Sequence, residues 1–87
     1  MPYIKKEARE KFENEINLLV ENINEPGELN YVIYKILVGL IKKLGMSYRI
    51  SSSLITELEC CKLEFYRRIL APYEDLKRKE NGDVKWN

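Results

Sequence analysis

Glu28-Leu29-Asn30-Tyr31-Val32-Ile33-Tyr34-Lys35-Ile36-Leu37-Val38-Gly39-Leu40-Ile41-Lys42-Lys43-Leu44 is the stretch that decides the fold. Leu29, Val32, Ile33, Ile36, Leu37, Leu40, Ile41 and Leu44 recur at steps of three and four, so at about 100° per residue they share one face of a helix. Lys42 and Lys43 fall where the partial negative charge of a helix C-terminus favours cations, and Gly45 supplies the stop. The opposite side carries Tyr31, Tyr34, Val38 and Gly39 beside Asn30 and Lys35, and is only weakly polar. A helix that is apolar on two sides is expected at the centre of an assembly, covered twice.

Working outward, Ala8, Phe12, Ile16, Leu19, Val20 and Ile23 make an apolar stripe along a first helix over 5–24, and Asn24-Glu25-Pro26-Gly27 supplies the break before the second helix at 28–44. After the connector Met46 to Ile50, Ser51-Ser52-Ser53 can cap a third helix over 52–70. Its main face holds Leu54, Ile55, Leu58, Cys61, Phe65 and Ile69, while Leu63 and Leu70 fall nearly opposite. Pro72 lacks an amide donor and disfavours helix at Ala71, which predicts a kink or a new start, with a short helical segment over 73–80 and a tail over 81–87. No run alternates with period two, and no repeat is present. The expectation is a single all-α domain over 1–87: a compact bundle of three main helices, the first two antiparallel, plus a short C-terminal helical segment folded back along the side.

Composition narrows the function. The chain has 87 residues, 15 Lys plus Arg against 14 Asp plus Glu, a formal net charge of +1, and no His. Near-neutrality removes the global electrostatic case for nucleic acid or an anionic membrane. Without imidazole, the usual Ser and Cys triads and the commonest transition-metal ligand are missing. A chain this short buries only about 60 to 65% of its unfolded surface, so association with a second copy is a natural supplement. The N-terminus reaches charged residues at once, with no apolar signal core, and no apolar run is long enough for a bilayer. With two adjacent cysteines read as thiols, a cytoplasmic location is expected, with no membrane partner and no cofactor.

Four groups of residues could carry chemistry. Lys62 falls inside the apolar face of the third helix, with Glu59 three residues before it and Tyr66 four after, so these three with Asn30 or Tyr34 of the second helix form a candidate polar pocket. The alternative for Lys62 is that its methylenes lie along the core edge while its charge reaches water or Glu59. Cys60 and Cys61 point about 100° apart, which prevents a mutual disulfide or a two-ligand metal clip; Cys61 is expected in the core and Cys60 outside. Glu7, Glu10 and Glu13 have the spacing of magnesium-binding carboxylates, yet they lie on the outward face and no second acidic motif follows, so no metal site is assigned. Arg67-Arg68 and Lys77-Arg78-Lys79 are interleaved with Glu64, Glu74, Asp75 and Glu80, a pattern of ion pairs along a helix rather than a basic stripe for nucleic acid.

Three stretches carry a resemblance: Gly27-Glu28-Leu29-Asn30-Tyr31-Val32-Ile33, Leu58-Glu59-Cys60-Cys61-Lys62-Leu63-Glu64-Phe65-Tyr66-Arg67-Arg68, and Ala71-Pro72-Tyr73-Glu74-Asp75 with Glu80-Asn81-Gly82-Asp83-Val84. Together with Met1-Pro2-Tyr3-Ile4-Lys5 they resemble a small all-helical family of prokaryotic and phage proteins, a domain of unknown function. The resemblance covers nearly the whole chain and implies no activity.

The surplus of apolar residues on second faces points to a non-enzymatic interaction module that forms a homo-oligomer, dimer or higher, through Tyr31, Tyr34, Val38, Leu63 and Leu70. In the opposing arrangement the C-terminal segment, with Leu76 and Trp86, covers those faces within one chain. A different class of function, a small-ligand or nucleotide-processing protein, would use Glu59, Lys62 and Tyr66 with acidic residues for magnesium.

Overall fold

The computed structural model describes residues 4–85. A 3-10 turn, Lys6–Ala8, leads into α1 (Glu10–Asn22), α2 (Pro26–Leu44) and α3 (Tyr48–Phe65); a π-helical turn, Tyr66–Leu70, joins α3 directly to α4 (Ala71–Asn81). No described residue is in a strand. The all-α class, the three main helices and the helical C-terminal segment are those the periodicity predicts. Trp86 lies outside the described residues.

Local signals explain the boundaries. α2 begins at Pro26, two residues before the expected start, because proline at the first helical position has its φ preset and loses no helical hydrogen bond. The Glu28 carboxylate accepts the amides of Asn24 at 2.8 Å and Glu25 at 3.1 Å, which satisfies donors at the helix entry. At the far end Gly45 has φ 93° and donates its amide to the Ile41 carbonyl at 2.8 Å, the stop expected there. α3 starts four residues earlier than the serine run suggests. Its cap is Ser47, whose Oγ accepts the Ile50 amide at 3.1 Å, so Ser51, Ser52 and Ser53 lie inside the helix.

Pro72 neither ends the helix nor folds the last segment back. The Ala71 amide reaches the Tyr66 carbonyl, five residues earlier, and the wider turn accommodates the proline ring so that α4 continues from α3. This turn also sets the register of the apolar stripe. Leu54, Leu58, Cys61 and Phe65 are spaced by four, three and four. In an unbroken heptad the next seat would be Arg68; the one extra residue taken up by a π-turn gives it to Ile69, and Tyr73 and Leu76 follow at steps of four and three. By the same insertion Leu70 turns about 100° away from the side that Leu63 occupies, toward the stripe.

The chain divides into two units, Met1–Ile50 and Ser51–Asn87. In the first, α1 and α2 meet around the Ile23–Glu25 turn but their backbones do not run side by side, so the expected antiparallel pair is not formed. On α2 the stripe residues Val32, Ile33, Leu37, Leu40 and Ile41 are half-buried, whereas Phe12 and Ile16 of α1 remain exposed. In the second unit the stripe is open: Phe65 is 62% exposed and Ile69 57%. No described residue anywhere is fully buried.

Candidate functional site

Asn30 and Tyr34 lie exposed on α2 in the first unit, and Glu59, Lys62 and Tyr66 lie in the second. Lys62 pairs with Glu59 at 3.0 Å, and the Lys62 side chain is 68% exposed, so its ammonium sits in water beside a screened partner. Tyr66 turns elsewhere. Its hydroxyl donates to Glu74 Oε1 at 2.9 Å, across the π-turn, and that hydrogen bond, reinforced by the negative charges of Glu74 and Asp75, holds the phenol above its usual pKa.

The most sheltered carboxylate in the second unit, Glu64, escaped the sequence reading as a site residue except as an ion-pair partner. Its side chain is 17% exposed; Arg67 hydrogen-bonds it closely and Arg68 Nη1 lies 3.5 Å away. The Arg67 hydrogen bond is the main cause that holds the Glu64 carboxyl below the usual carboxylate range. On α4, Lys77 pairs with Glu80 at 3.0 Å and Arg78 with Asp75 at 3.6 Å. Arg78 also lies 3.8 Å from Asp83, and Lys77 stands 5.7 Å over the Tyr73 ring. These contacts border an open recess of about 380 Å³ that includes Tyr73, Glu74, Asn81 and Val84. Its cations are already matched by acids, so it offers no unopposed positive field to an anion.

The two cysteines are reversed relative to expectation. Cys61 is exposed and Cys60 half-buried, and no second helix of its unit packs on α3 to supply the core expected around Cys61. Among the described residues, no three Asp, Glu or Cys side chains converge as metal ligands, and Glu7, Glu10 and Glu13 are exposed to solvent.

Of the candidate interface residues, Tyr31 is 63% exposed and Tyr34 64%, while Val38 is half-buried; Leu63 and Leu70 are exposed on the second unit. A second recess, of about 420 Å³, opens inside the α1–α2 turn between Leu19, Ile23, Tyr31 and Val32, floored by Gly27 and edged by Asn22, Glu25 and Glu28. The geometry that unites the candidates is therefore exposed apolar helix surface. The profile of a domain of unknown function, DUF6899, matches residues 1–84. The chain belongs to this family. No curated protein and no solved structure matches the DUF6899 chain. No helix among its described residues is long and apolar enough to cross a membrane.

Proposed function

We propose that this DUF6899 domain is a non-enzymatic interaction module that associates with further copies of itself. The observation that carries the reading is that apolar side chains line up along helices and yet no described residue is buried. A folded domain needs burial of apolar surface to offset the entropy of ordering its chain, and contiguous exposed apolar surface of this kind marks an association site. The stripe from Leu54 to Leu76 is the best suited, since it is continuous across the π-turn and lies within one unit. Leu70 borders this stripe, and the sides bearing Tyr31, Tyr34 and Leu63 add further apolar surface for higher assemblies. Glu59 and Lys62 neutralise one another and Tyr66 is held by Glu74, which leaves the ligand-processing reading without a convergent set of groups.

Thermal melting at several protein concentrations tests this, because a ligand-free oligomer melts higher as concentration rises. A melting temperature that is independent of concentration, but raised by a nucleotide with magnesium, contradicts it.

A further inference from the structure

We infer that the occupant of the Leu54–Leu76 stripe is the same stripe of a second copy, laid parallel and in register so that Cys61 faces its own counterpart. The inference rests on the self-association reading and adds partner element, direction and register. The stripe follows the spacing of alternating a and d seats of a two-stranded coil, with Leu58 and Phe65 at a and Leu54 and Cys61 at d, through more than three heptads once the π-turn is counted.

Direction follows from the flanks. With this register Glu57 lies just before an a seat and Lys62 just after a d seat, five residues apart and on opposite edges of the stripe. In a parallel in-register pair, those two edges meet, and Glu57 of one copy comes opposite Lys62 of the other. Symmetry supplies the pairing twice. Antiparallel pairing sets each edge against its own kind and forfeits both. The bond that Lys62 makes to Glu59 within the chain, at 3.0 Å with both side chains more than half exposed, is weak enough to share or exchange.

Register places the exposed thiol. Cys61 occupies a d seat, so in a parallel pair its layer consists of Cys61 and Cys61, whereas the half-buried Cys60 points about 100° away from that layer. Diamide converts this geometry into a readout. Two Cys61 thiols lose their hydrogens and form one sulfur–sulfur bond between chains, while the two electrons and two protons reduce the diamide N=N bond to a hydrazine.

The experiment uses the full chain as Cys60→Ser, Cys61→Ser, and each of these with Glu57→Lys or with Glu57→Lys plus Lys62→Glu. Light scattering on the reduced proteins is followed by diamide and non-reducing electrophoresis. The expected result is a dimer whose Cys60→Ser form cross-links at least about tenfold faster than Cys61→Ser, since paired thiols have a high effective concentration. Glu57→Lys slows the cross-link and the charge-exchanged double variant restores it. A reduced dimer in which Cys60 cross-links as fast as Cys61, or in which the charge exchange restores nothing, overturns the parallel register and leaves self-association standing. A monomer at every concentration overturns both.

Discussion

The Tyr66 hydroxyl donates a 2.9 Å hydrogen bond to Glu74 Oε1, one residue on either side of the π-turn's accommodation of Pro72 being thereby tied together. Because the charged acceptor favours the protonated phenol, the folded-state pKa of Tyr66 is raised above its ordinary value near 10. A raised pKa contributes stability that is complete below the ordinary value and is lost as pH rises through the folded one. Absorbance titration should show one tyrosine ionising late, absent in Tyr66→Phe and moved down toward the ordinary range by Glu74→Gln. An unchanged late transition in Glu74→Gln would assign it to another tyrosine.

Glu64 has the opposite sign. The Arg67 hydrogen bond lowers its pKa, so its contribution is present above the ordinary carboxylate pKa and disappears as pH falls through the lower, folded value. The fall in melting temperature between pH 7 and pH 3 should therefore be smaller in Glu64→Gln than in the parent chain. An equal fall in both proteins would show that the ion pairs with Arg67 and Arg68 do not discriminate folded from unfolded chain.

Two glycines should respond in opposite directions. At Gly45, with φ 93°, a Cβ is strained whatever the space around it, and Gly45→Ala should cost about 1 to 3 kcal/mol. Gly39 lies inside α2 with nothing within 4 Å of an added Cβ, and Gly39→Ala should stabilise by up to about 1 kcal/mol through helix propensity. Urea unfolding measures both; a destabilising Gly39→Ala would reveal a close partner on that side of α2 in the assembly.

Much of this structure is legible in the residues. The three-and-four spacing from Leu29 to Leu44, the stop at Gly45 and the pairs of Glu64 with Arg67 and Arg68 follow from local geometry, which the chain carries in a short window. Choices between competing local signals are harder to read. Ser47 and Ser51-Ser52-Ser53 are all good caps, and the decision depends on whether Tyr48 to Ile50 is helical. Proline alone predicts a break at Ala71, because a π-turn leaves no distinctive residue pattern; the switch from the Arg68 seat to Ile69 is its only trace. For the candidate site, helix periodicity places Glu59, Lys62 and Tyr66 near one another, but it does not reveal that the Tyr66 hydroxyl donates to Glu74 of the next helix.

The stripe itself distinguishes its two sides. Phe65→Asp places a charge in the proposed contact and should weaken self-association at least about tenfold, on the order of 1.4 kcal/mol, whereas Leu63→Asp on the opposite side should change it much less. Sedimentation velocity on the two variants measures this, and equal losses would move the contact to the Leu63 side.

The central claim, that the apolar helix faces are covered by other copies of the chain, is tested most directly by light scattering on the reduced parent protein across the micromolar range. The account predicts a mass of at least twice the 10.4 kDa of one chain, falling toward it only on dilution. A mass of 10.4 kDa throughout that range would contradict it.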